Sequence, residues 1–206
     1  LVPSEFAEDV IDGDGTVYIR NTSEYRIDEG EPQTSLDGAK LTAERTVIHL
    51  YYDADNWGDN SETNPDGTPD KDQVLVKFES ADNSKGTVSG AGTTQVLPKT
   101  AVVPVNENIT LTPAQNNAFD IWVKGDAASD EAVNPFQTQQ AEGGDTITFY
   151  AKFGEDVIGP EDKGDGTPDK YQVTVKYLSV DTSMGTVDNA KEIVTIGGRA
   201  TSGNAA

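Results

Sequence analysis

The chain has 206 residues, 34% hydrophobic and 7% aromatic, with 15 basic against 36 acidic side chains and a formal charge of −21. That charge repels polyanions, which excludes nucleic acid and anionic bilayers as partners, and the absence of cysteine removes disulfides, thiolate catalysis and thiolate zinc sites together. No apolar run approaches the roughly 20 residues of a transmembrane helix, so membrane insertion is not expected.

Leu1-Val2-Pro3-Ser4-Glu5 lacks the basic start and apolar stretch of a secretory leader, and residues 1–16 read as a linker. Within it Phe6-Ala7-Glu8-Asp9-Val10-Ile11 echoes Phe153-Gly154-Glu155-Asp156-Val157-Ile158. Residues 17–54 read as the closing part of a divergent repeat. Ile48, Leu50, Tyr52 and Ala54 share one face of its last strand, and His49 turns to solvent on the other.

An acidic linker at 55–72 leads into a complete unit at 73–153. The unit opens with a period-two strand that points Val74, Val76 and Phe78 inward and Gln73, Lys77 and Glu79 outward. Further strands are predicted at Gly86–Gly90, Thr94–Leu97, Ile109–Leu111, Phe119–Lys124 and Thr146–Phe153, with a short helical turn over Pro113–Ala118. In the last strand Ile147, Phe149, Ala151 and Phe153 form an apolar face, and Trp122 is expected in the core. A second acidic linker at 154–170 precedes a partial repeat at 171–196 and a disordered tail at 197–206. A chain that stops in mid-repeat reads as a fragment of a longer protein.

The units are copies. Asp66-Gly67-Thr68-Pro69-Asp70-Lys71 returns as Asp165-Gly166-Thr167-Pro168-Asp169-Lys170, and the 99-residue offset runs without a gap from Val47 to Val88. Repeats of domain size joined by acidic Asp/Gly/Pro segments indicate an array of small domains rather than one catalytic globule. Two partial repeats with open strand edges are expected to pair, either within the chain or head to tail between molecules.

The pattern from Gln73-Val74-Leu75-Val76-Lys77-Phe78 through Gly86-Thr87-Val88-Ser89-Gly90, Ala118-Phe119-Asp120-Ile121-Trp122 and Pro135-Phe136 to Gly144–Phe153 resembles the internalin-type B-repeat, or Listeria–Bacteroides repeat. With its acidic joint at Gly164–Gln172 it is also similar to repeats of clostridial cell-wall surface proteins. The chain departs from the pattern at Ile121, where the family's Asp-Gly-Trp form has glycine, and in the acidic insertion Gly125–Ala132. The resemblance implies a mainly β fold, with α+β left open, of tandem small β-grasp-like domains. It also implies a place in the exported, extracellular, cell-wall-associated stalk of a Gram-positive bacterium, with no catalytic residue to carry over.

The main chemical candidate is calcium in the joints, because Glu62-x-Asn64-x-Asp66-Gly67-x-x-Asp70 spaces oxygen donors at alternate positions around a glycine turn. The second joint offers Asp165 and Asp169 but has Lys163 at a ligand position, in Glu161-x-Lys163-x-Asp165-Gly166-x-x-Asp169. Asp53, Asp55 and Asp59 are further donors for the first joint. Trp57 with Tyr51 is the candidate ligand-contact surface, set against simple packing at a domain end. The lone His49, the absence of cysteine and serines confined to turns supply no catalytic constellation, and Lys77, Lys152 and Lys176 on outward faces do not suit an isopeptide bond. The sequence thus reads as a stalk or adhesive repeat that projects a tip domain and contacts a host or neighbouring-cell ligand. The alternative is a carbohydrate- or protein-binding module of a secreted protein.

Overall fold

A computed structural model of the chain describes residues 10–11, 15–35, 46–100, 108–159, 163–188 and 190–197. The expected hexapeptide echo at Phe6–Asp9, Glu161 and the tail from residue 198 lie outside the described residues. The fold is mainly β, in several small sheets, and the helical segments among the described residues are two 3-10 turns, Asp70–Asp72 and Asp169–Tyr171. No described helix is long and apolar enough to cross a membrane.

Two compact units emerge, Leu1–Val76 with Thr94–Pro104 and Gln137–Ile147, and Lys77–Thr93 with Val105–Phe136 and Thr148–Ala206. In the first unit β1 (Val10–Ile11), β2 (Val17–Ile27) and β3 (Ile48–Ala54) form an antiparallel sheet. The β2–β3 register breaks between Arg20 and Tyr25, and the buried Tyr25 exchanges both backbone bonds with Gln33. The same unit holds the start of β4 (Gln73–Ser80), with Val74, Leu75 and Val76 fully buried, and β6 (Thr94–Pro98), with Gln95 and Leu97 buried.

The second unit is organised around Phe78 near the end of β4. Its ring meets Trp122 edge-on at 5.4 Å and stacks on Phe149 at 5.4 Å and Phe136 at 5.8 Å. Trp122 and Phe149 come from β8 (Asn117–Lys124) and β9 (Thr146–Glu155), an antiparallel pair with a register shift between Phe119 and Ile121. A smaller ladder joins β5 (Gly86–Ser89) to β7 (Thr110–Pro113), and β10 (Gln172–Lys176) pairs with β11 (Lys191–Thr195). Gly86 is required by packing, since a Cβ there would lie 2.7 Å from the Phe153 ring.

The four-stranded sheet has the order β6-β4-β9-β8. Backbone bonds from Leu75 N–H to Asp145 O and from Ala81 N–H to Ala151 O advance in the same sense along both strands, so β4 and β9 are parallel. Bonds from Phe78 N–H to Thr93 O and from Lys99 N–H to Asp72 O run in opposite senses, so β4 and β6 are antiparallel. Leu75 is buried along with Val74 and Val76, so both faces of this stretch of β4 are shielded from solvent.

The expected inward set Ile147, Phe149, Ala151 and Phe153 is buried. Other expectations change. Gln73 is buried rather than outward, because its amide is used by a joint described below. Pro113–Ala118 is a strand end and a tight turn rather than a helical turn: Asn117 N–H bonds to Ala114 O, and Asn116 takes φ 61°, a left-handed value that asparagine tolerates. His49 is half-buried, with its Nε2 enclosed and unpartnered, rather than solvent-facing. The acidic insertion after Lys124 is a compact turn, in which Asp126 accepts the Ala128 N–H and Lys152 anchors both the Ser129 carbonyl and the Asp130 carboxylate.

Deleting the Phe78 ring removes the hub of the aromatic cluster, so Phe78→Ala should lower unfolding free energy by about 3–5 kcal/mol. Leu178→Ala, at an exposed position, should change it by less than about 0.5 kcal/mol. Urea titration of both variants checks the contrast.

Candidate functional site

Each acidic joint opens where a strand delivers an aspartate into the interior: Asp55 after β3 is 1% exposed and Asp156 after β9 is 5% exposed. A buried carboxylate needs donors. The Asp55 oxygens accept the Asp66 N–H at 3.2 Å and the Gly67 N–H at 2.8 Å, and the Asp156 oxygens accept the Asp165 N–H at 2.9 Å and the Gly166 N–H at 2.8 Å. The two amides point together because Gly67 and Gly166 adopt φ 87° and 91°, a region costly for residues with a Cβ.

Asp66 and Asp165 continue the turn by accepting the amides of Thr68 and Thr167, and their second oxygens receive the side-chain amides of Gln73 and Gln172 at 3.0 and 2.8 Å. Pro69 and Pro168, each at φ −55°, lead into the 3-10 turns that open β4 and β10. There Asp70 accepts the backbone amides of Asn56 and Trp57 and the Asn56 side-chain amide, while Asp169 accepts the amides of Val157 and Ile158. The lock is reciprocal. The aspartate before the loop holds the loop's amides, and the aspartate after the loop holds the amides that follow the first.

The lysines next in sequence fix each joint to a strand. Lys71 pairs with Asp53 of β3 at 2.7 Å, and Lys170 pairs with Asp120 of β8, which also accepts the Tyr171 hydroxyl at 2.8 Å.

Structural equivalence corrects the gap-free repeat. Asp156 lies 101 residues after Asp55, whereas Asp165 lies 99 after Asp66, because the stretch from Gly58 to Asn64 is two residues longer than that from Gly159 to Lys163. A shift of two keeps strand parity, so the inward set of β3 survives the change. Both glycines are held tightly: a Cβ on Gly58 would run into the Asn64 carbonyl, and one on Gly159 into that of Lys163.

The calcium candidates gather at the joints but turn their oxygens to N–H donors. Asp66, Asp70, Asp165 and Asp169 serve as the acceptors just described, Asn64 donates its side-chain amide to Asp59 at 2.8 Å, and Glu62 is exposed. Among the described residues no three His, Cys, Asp or Glu side chains form a metal-holding group. Trp57 is half-buried and its backbone amide is held by Asp70, and Tyr51 is half-buried on β3, so neither ring stands out as an open platform. Asp55, expected as a further cation donor, is instead the acceptor of two loop amides, and the residues missed as functional are Asp156, Gln73 and Gln172. Their signal was present in the shared Asp-x-x-Gly before each loop and the shared glutamine after it.

Burial pushes the Asp55 carboxyl above its ordinary value, against the pull of the Gly67 and Asp66 amides and with further push from the Asp66 and Asp70 charges. The Gln172 amide holds Asp165 below the usual carboxylate range. No family model, curated protein or solved structure matches the chain.

Two outcomes follow from the lock. Asp156→Ala removes the acceptor of the Asp165 and Gly166 amides and should cost about 0.5–1.5 kcal/mol for each hydrogen bond lost, read by urea unfolding. Because the Asp55 value is raised on folding, its stabilising contribution is fully present below the unfolded value near 3.8 and is lost as pH rises through the folded value. The stability difference between the protein and Asp55→Asn should therefore fall with rising pH across that window and then level, whereas a difference that grows with pH would contradict the assignment.

Proposed function

We propose that the chain is a structural and adhesive stalk segment of an exported bacterial surface protein, non-enzymatic, extracellular and wall-associated, built from tandem small β-grasp-like repeats. Its work is to project a tip domain and to contact a host or neighbouring-cell ligand. The observation that carries the reading is the joint built twice on one plan, with Asp, Gly, Pro and Gln in the same roles at both places. A repeated unit with a repeated, locked connection sets spacing, which is what a stalk requires.

Other features support it. The parallel central pair β4–β9 with antiparallel strands on either side is the sheet plan expected of a β-grasp-like unit. A charge of −21 keeps neighbouring molecules apart on a crowded surface, and a cysteine-free chain is indifferent to an oxidising exterior.

Antibodies raised against the chain should stain intact cells of the producing bacterium, and wall-digesting enzymes should release the antigen. Staining that requires permeabilised cells would overturn the assignment.

A further inference from the structure

The chain enters the four-stranded sheet along β4 and leaves it along β9, and these two strands lie side by side at its centre. They are parallel. At one end of the pair the Gly144 N–H meets the Gln73 carbonyl and the Leu75 N–H meets the Asp145 carbonyl, and at the other the Ala81 N–H meets the Ala151 carbonyl. Residue numbers advance equally on both strands, from 75 to 81 and from 145 to 151, so the two ends of the ladder share one register.

Direction decides how such a ladder meets tension. A pull along the chain draws Gln73 and Glu155 apart, and because the strands are parallel these residues lie at opposite ends of the ladder. The strands must then slide past one another, and every cross-strand bond is stretched at once. In an antiparallel pair the entry and exit would share one end, and the bonds would open one after another. The chain between Ala81 and Asp145, which holds β5, β7 and β8, is bridged by the ladder, so tension bypasses it until the ladder fails. Water has little access to help the bonds open, since Val74, Val76, Phe149 and Ala151 are all fully buried. Sliding also breaks the stack of Phe78 on Phe149, one ring from each strand.

We propose that the β4–β9 pair is a mechanical clamp, which resists tension applied along the chain and keeps the repeat at its folded length until the whole ladder shears. Resistance of this kind is set by the barrier to forced unfolding rather than by equilibrium stability. The inference rests on the stalk reading only for the source of tension, a tip held by its ligand while the base is fixed. The clamp itself belongs to the sheet and is measured on the isolated chain, whereas staining of intact cells decides display, so each can fail without the other.

The experiment is single-molecule force spectroscopy on the full chain, in which the absence of cysteine makes two introduced thiols the sole attachment points. Thr68→Cys with Glu155→Cys, both at exposed positions, loads the ladder in shear. Thr68→Cys with Glu142→Cys, also exposed, pulls on the Gln73–Gly144 end alone and opens the ladder as a zip. At one pulling speed the first pair should need several times the force of the second, and should end in a single length gain of up to about 3.3–3.6 Å per residue released. Ala81→Pro deletes the N–H that meets the Ala151 carbonyl, and should lower the shear force while leaving the unzipping force unchanged, since unzipping starts at the other end. If that variant does not fold, the comparison of directions decides alone. Equal forces in the two directions, or a shear force indifferent to Ala81→Pro in a folded protein, would overturn the proposal.

Discussion

A buried aspartate that accepts two consecutive backbone amides is the constraint on which each joint depends. Asp55 and Asp156 sit where strands end, and their carboxylates would be costly to enclose without donors. The loop that follows is rich in like charge and would otherwise extend. Two charge-assisted bonds to each carboxylate draw it back, at the one point where a glycine can present adjacent amides together. The reciprocal hold by Asp70 and Asp169 then fixes the direction in which the next strand departs.

The same logic changes the meaning of the acidic composition. An excess of Asp and Glu reads from sequence as solvated linker or as cation ligands, yet many of these carboxylates act as local acceptors for backbone amides. Asp82 and Asp181 show this at equivalent turns: each accepts the amide and hydroxyl of the serine two residues on, and those bonds hold each carboxyl below its ordinary value. Aspartate is short enough to reach its own loop's amides, so an acidic segment can be ordered without a metal.

What was legible in the sequence was periodic or repeated. The inward residues of β9 alternate in a strand with one polar side, and the DGTPDK echo marks both joints. What was not legible depended on neighbours distant in sequence. Gln73 looked outward by period, but the Asp66 carboxylate draws its amide inside. Leu75 is buried as fully as its neighbours Val74 and Val76, a burial that simple alternation does not mark. Asp55 was one acid among several, and only the amides of Asp66 and Gly67 distinguish it. The two-residue length difference between the joints falls in a loop and leaves strand parity unchanged, so no periodic signal marks it.

The most direct measurement of the aspartate lock is amide hydrogen exchange at Gly67 and Gly166, followed by NMR in the protein and in Asp55→Ala and Asp156→Ala. Both amides should be protected in the protein, with Gly67 losing protection in the first variant alone and Gly166 in the second alone. Rapid exchange at both glycines in the unaltered protein, or protection indifferent to the substitutions, would contradict the account.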